Sequence, residues 1–143
     1  MLTKLLLTLL ITLPIFASDK QMQNRNISTK DMKTQNKQIA KLAAEEINKS
    51  LPQTIDKYTI LKTVVSENTT IIYTFELNIA PKTDETVKKE DHRRMKEAVT
   101  RGTCATSKRF LEADISLKYI YTSATTKKEL FQFNINQKSC FKL

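Results

Sequence analysis

Between residues 70 and 79, Ile71, Tyr73, Phe75, Leu77 and Ile79 alternate with Ile72, Thr74, Glu76 and Asn78. Period two over so long a stretch commits this part of the chain to a β-strand, because an extended backbone sends successive side chains to opposite sides. One side is apolar and the other mostly polar, so one face is core and the other meets water. A run rich in β-branched and aromatic residues, Tyr58 to Val65, comes before it, and Asn68 with its neighbours supplies the turn. The two runs read as a hairpin. A second hairpin is expected farther on. There Ile115, Leu117, Tyr119 and Tyr121 alternate with Ser116, Lys118 and Ile120. Ser123 to Thr126 turn the chain, and Glu129, Phe131, Phe133 and Ile135 alternate with Leu130, Gln132 and Asn134.

Each hairpin follows a helical stretch. Ser28 lies three residues before Asp31, the form of a capping box, and helix formers fill Lys30 to Lys49 without Gly or Pro. Ile39, Leu42, Ala43 and Ile47 keep the three-and-four spacing of a one-sided apolar stripe, with Lys37, Lys41, Glu45 and Lys49 opposite. Leu51-Pro52 stops this helix, since proline disfavours helical geometry in the residue before it. From Glu85 onward, Val87, Met95, Ala98 and Val99 fit a second amphipathic helix, charged on its other side, which Gly102 ends or bends. Cys104 to Leu111 add a short helical turn carrying Phe110 and Leu111 inward. The order predicts an α+β fold, helix–hairpin–helix–hairpin, with two helices packed on one face of a four-stranded, mainly antiparallel sheet.

The amino end adds a compartment. Met1 to Lys4 are positive at Lys4, Leu5 to Phe16 are almost wholly apolar, and the small pair Ala17-Ser18 precedes Asp19 and Lys20. That order suits a secretory signal cut after Ala17. An apolar run of about 12 residues falls short of the roughly 20 that a bilayer span needs, so no transmembrane span is expected after signal removal. Residues 1–17 therefore read as a signal peptide, 18–28 as a flexible leader and 29–143 as a single α+β domain. The protein is expected in the periplasm or the medium. In an oxidising compartment the lone pair Cys104 and Cys140 is expected to form a disulfide, the alternative being two unpaired thiols.

Asn48, Leu51-Pro52, Ile55-Asp56 and Thr59, followed by Cys104, Tyr119, Tyr121 and Cys140, together resemble a pattern found in small exported bacterial proteins of unassigned function. Those proteins place N-x-x-L-P after a first helix, then Asp and a Thr entering a strand, and two late cysteines. The resemblance implies fold and compartment, and no chemistry. Two departures stand out: the group has glycine where Asp114 stands and another within the last turn, at Ala124 to Lys127. Locally, Pro52, Asp56 and Thr59 read as a structural turn, with Asp56 bonding the backbone of Tyr58 or Thr59.

Composition removes most announced chemistries. A single glycine excludes the phosphate-cradling loops, and one histidine with two cysteines excludes the common structural zinc sites. His92 lies in Glu90-Asp91-His92-Arg93-Arg94, but helix neighbours point in different directions and no nucleophile stands at a recognisable spacing. Neither Glu45-Glu46 nor Asp84-Glu85 reads as buried, which disfavours a carboxylate dyad. No catalytic residue, metal or cofactor is expected, and the chain does not read as an enzyme. The remaining signal is charge: +9 overall, or +8 once Lys4 leaves with the signal. Its densest cluster, Lys88, Lys89, Arg93, Arg94, Lys96 and Arg101, lies on or near the second helix, and Lys88, Lys89, Arg93, Arg94 and Arg101 are the candidate contact with an anionic surface. The leading reading is an exported binding or adaptor module with a protein partner in the cell envelope, accessory to an envelope or secretion assembly. The alternative is a basic binder of membrane head groups, cell-wall polymer or imported DNA, with nucleic acid the weakest of these because of the exported compartment.

Overall fold

A computed structural model describes residues 28–142; the expected signal peptide, and the expected leader apart from Ser28, lie outside the described residues. The first helix, α1 (Thr29–Asn48), starts where its cap predicts. Ser28 Oγ accepts the Asp31 N–H at 3.2 Å. Strands β1 (Gln53–Thr54), β2 (Thr59–Glu67) and β3 (Thr70–Leu77) follow. After them come α2 (Asp84–Thr106), a short α3 (Lys108–Glu112), β4 (Ser116–Ser123), β5 (Glu129–Ile135) and a closing 3-10 helix, Gln137–Lys142.

The sheet corrects the expected one in two ways. It has five strands in the order β1-β2-β3-β4-β5, because the two residues after Pro52 pair with Ile60 and Leu61. It is also mixed: β3 and β4 run parallel, Ile71 beside Leu117 and Phe75 beside Tyr121, while the other pairs are antiparallel. The reason is the connection. No tight turn joins the hairpins, and a chain that leaves β3, crosses the face as a helix and returns beside β3 arrives parallel to it.

Both helices cover the same face. Ile71, Phe75, Leu117, Tyr121, Phe131, Phe133 and Ile135 point into the core, with Ala40 and Ala44 of α1 and Val87 of α2 above them. Two bulges adjust the phase. One between Leu61 and Thr63 brings Leu61 and Val64 to the same buried side, although they are three residues apart. The other, at Leu130, lets Leu130 and Phe131 both be buried. The hairpin turn at Asn68 holds a positive φ of 53°, which Asn tolerates.

The helices also depart from expectation. Along α1 the residues nearest the sheet are the small Ala40 and Ala44, so the helix lies close and Ile39 and Leu42 stay exposed on its flank. Helix α2 begins at Asp84, capped by Thr83, and runs through Gly102 without ending there. Ala98, expected inward, is exposed, because the covered positions of α2 step by four through Val87, Asp91, Met95, Val99 and Thr103, and Ala98 lies off that line. Asp84 is buried rather than solvated, and its carboxylate accepts the Thr126 hydroxyl at 2.6 Å, tying the start of α2 to the β4–β5 turn.

Asp114 (φ 57°) and Lys127 (φ 60°) are left-handed. Both lie where the resemblance leads one to expect glycine. The backbone conformation persists without it, and at Lys127 an ion pair to Glu76, 2.8 Å long, offsets part of the cost. At Asp114, glycine should melt no lower than the native chain, and valine should cost about 2 kcal/mol, since a branched β-carbon is poorly tolerated there. Thermal melts of the two variants check the order.

Candidate functional site

Helix α1 lies over β2 and β3, whereas α2 lies over β5. Between them the sheet shows a floor of stacked rings: Tyr73 and Tyr119 are 5.3 Å apart and Phe75 and Tyr121 4.9 Å. Tyr73 and Tyr119 are only half-buried. The flank of α1 carrying Lys41, Glu45 and Asn48 borders Val65 and Ser66 on β2. Helical spacing turns Ile39 to the opposite side of α1. At the end of β3, against α2, lies a cleft of about 330 Å³, lined by Tyr58, Leu77, Ile79, Pro81, Met95 and Phe131.

The rim of that cleft is charged and internally paired. Asp91 Oδ1 accepts from Arg94 at 2.7 Å, and Lys82 reaches Glu90 at 2.9 Å and Asp91 at 3.5 Å. The Arg94 hydrogen bond, with Lys82 beside it, holds the Asp91 carboxyl below the usual carboxylate range. The Glu90 hydrogen bond raises the Lys82 ammonium in turn. Paired charges around an apolar floor favour a peptide or protein surface, which meets the floor with apolar side chains and the rim with polar ones.

The basic cluster is spread around α2. Arg93 and Arg94 are neighbours in sequence and so point about 100° apart around α2. Arg94 joins the cleft rim, while Arg93 lines a separate groove of about 610 Å³ between α2, the end of β5 and the 3-10 helix. Lys88, Lys89 and Arg101 are exposed along α2. His92 is exposed too, yet its ring meets the edge of Phe133 at 5.5 Å and lies 6.0 Å from Phe131, so an aromatic contact accompanies the solvated face. The turn residues hold backbone. Asp56 Oδ1 accepts the Tyr58 N–H at 2.8 Å, and the Thr59 carbonyl accepts the Ile55 N–H at 2.9 Å. Pro52 leads from α1 into β1 through a cis bond. Cys104, near the end of α2, is bonded to Cys140 in the 3-10 helix, with Cα atoms 5.7 Å apart.

Three positions have placements that residue spacing does not foretell. Asn48 Oδ1 accepts the Val64 N–H at 3.1 Å, fastening the end of α1 to β2 next to the bulge. Lys138 and Lys142 join Arg93 and Lys96 in the larger groove. The signal for Asn48 was its place in the N-x-x-L-P pattern; nothing in the sequence brings the lysines to α2 except the second cysteine. Among the described residues no cluster of three His, Cys, Asp or Glu could hold a metal, and no helix is long and apolar enough to cross a membrane.

Fold and cleft together define a small α+β domain with two helices on one face of a mixed sheet and an apolar cleft between α2 and the end of β3. Residues 34–131 match the family described as a domain of unknown function, DUF8479, and the chain belongs to that family. The fold is similar to that of a Pseudomonas aeruginosa protein designated as secreted, at a TM-score of 0.67 and 14% identity, covering 76% of this chain and 96% of that one. It is similar also to EpsS, the type 2 secretion system pilotin of Vibrio vulnificus, at 0.65 and 13%, covering 78% of this chain and 96% of that one. AspS, a type II secretion system pilotin of Vibrio cholerae, gives 0.58 and 13%, covering 78% of this chain and 97% of that one. At such identities the likeness is one of fold. No curated protein matches the sequence.

Proposed function

We propose that this protein is a small exported adaptor, without catalytic activity, that binds a protein component of an envelope secretion assembly through the cleft between α2 and the end of β3. The observation that carries this reading is the pilotin fold likeness, which covers nearly the whole of both pilotins. The residues agree with it. The cleft offers an apolar floor and a rim of fixed charges, and the sequence carries an export signal and a cysteine pair suited to an oxidising compartment.

A photo-crosslinker placed at Tyr58, which is exposed at the cleft mouth, should capture an envelope secretion component in living cells. Met95→Glu sets an uncompensated charge on the apolar wall and should reduce that capture about tenfold or more, compared at a temperature where circular dichroism shows the variant, which loses core packing at this half-buried position, still folded. Deleting the gene should lower the release of proteins exported by the same assembly. Capture that is unaffected by Met95→Glu, together with unchanged release, overturns the proposal.

A further inference from the structure

The larger groove has a composition that the cleft lacks. Arg93 and Lys96 come from α2, and Lys138 and Lys142 from the 3-10 helix, more than 40 residues later in the chain. Among the described residues, none of these four cations forms an ion pair. Glu97 is the single carboxylate on the lining. In the same 3-10 helix, between Cys140 and Lys142 and one turn after Lys138, stands Phe141. At 79% exposure it is the most exposed large apolar side chain among the described residues.

That phenylalanine is presented by a fixed segment. Its neighbour Cys140 is bonded to Cys104 in α2. At the start of the 3-10 helix, Asn136 and Ser139 exchange hydrogen bonds: the Ser139 N–H donates to Asn136 Oδ1 and the Asn136 N–H to Ser139 Oγ, each at 3.1 Å. An exposed aromatic ring held next to unpaired cations has the makeup of a surface that rests on an anionic bilayer. The ring enters the boundary between head groups and acyl chains, and the cations meet lipid phosphates. A free polyanion would use the cations and leave the ring without a role. A protein partner would need a wider apolar patch than one ring flanked by lysines.

We infer that the protein rests peripherally on anionic lipid, through Phe141 together with the Arg93, Lys96, Lys138 and Lys142 groove. The disulfide has a direct part in this, because it brings the two halves of the cation cluster together. The site is separate from the cleft at the end of β3, so it stands or falls independently of the adaptor reading.

Vesicle flotation of the oxidised full chain tests it, with phosphatidylglycerol-rich vesicles compared with pure phosphatidylcholine. The neutral vesicles account for any uptake by the apolar segment Leu5 to Phe16, which does not depend on lipid charge. Binding to the anionic vesicles should exceed the neutral level and fall steeply as salt rises. Each basic side chain near an anionic leaflet is worth about a fivefold gain, so Lys138→Glu with Lys142→Glu should weaken binding about tenfold or more. Lys88→Glu with Lys89→Glu makes the same change of charge away from the groove and should weaken it about threefold or less. The chain has no tryptophan, so Phe141→Trp places a single indole at the proposed point of entry. Its emission should shift to the blue with phosphatidylglycerol vesicles and stay unchanged with phosphatidylcholine or inorganic tripolyphosphate. Equal losses from the two charge reversals, an indole that does not respond to anionic vesicles, or binding no greater than to neutral lipid would each overturn the inference.

Discussion

Replacing Cys104 or Cys140 by serine should lower the melting temperature by about 15 °C, the two single variants falling together. The bridge spans 36 residues and closes a loop that takes in α3, β4, β5 and the 3-10 helix. Closing a loop of that length removes unfolded-chain entropy worth roughly 3–4 kcal/mol. In a domain of this size that is a large share of the net stability, because burial and chain entropy nearly cancel. The loss also falls on one place. The 3-10 helix carries no buried residue and stays against α2 chiefly through Cys140. Calorimetry of the oxidised native chain, the reduced native chain and both serine variants checks this, with the last three expected to coincide. Serine variants that melt with the oxidised native chain would remove the bridge from the account of stability.

Raising the pH above 10 should destabilise the fold through the ring stack. Burial pushes the phenols of Tyr73 and Tyr121 up to about 12, with Tyr119 adding to each, and burial raises Tyr119 as well. In the unfolded chain the same phenols ionise near 10. The folded state therefore holds protons that the unfolded state has already released between pH 10 and 12, so stability is complete below pH 10 and is lost as pH climbs through that window. Two full units on each ring would amount to about 2.7 kcal/mol apiece. Solvent reaches the half-open Tyr73, so screening reduces this to a combined loss of about 2 kcal/mol, or roughly 10 °C in melting temperature by pH 11.5. The Lys82 pairs, whose ammonium is also raised, weaken in the same direction. Tyr73→Phe with Tyr121→Phe keeps the rings and removes the ionisation, so its melting temperature should decline much less over the same range. Equal decline in the double variant would assign the alkaline loss to other groups.

Local signals carried well from sequence to structure. The alternation through Tyr73 and Phe75, the Ser28 cap, the Asn68 turn and the Asp56 side-chain bond all depend on residues within a few positions of one another. What did not carry was set by distant parts of the chain. β1 is two residues long and shows no period; it exists because Leu61 and Ile60 offer it a free edge. The parallel pairing of β3 with β4 depends on where α2 lands. The outward turn of Ile39 and Leu42 follows from how closely Ala40 and Ala44 approach the sheet, which spacing alone does not encode. For the candidate sites the same division holds. The basic character of α2 was plain in the sequence, but the splitting of Arg93 from Arg94, and the arrival of Lys138 and Lys142, are products of tertiary geometry.

The parallel seam between β3 and β4 also governs how the molecule can respond to a guest. Each helix sits over strands of its own half, so Ile71 through Leu77, aligned with Leu117 through Ser123, form the common spine of two helix-and-hairpin lobes. A guest seated in the cleft meets Leu77 of the first lobe and Met95 and Phe131 of the second, so its push is shared by both across that seam.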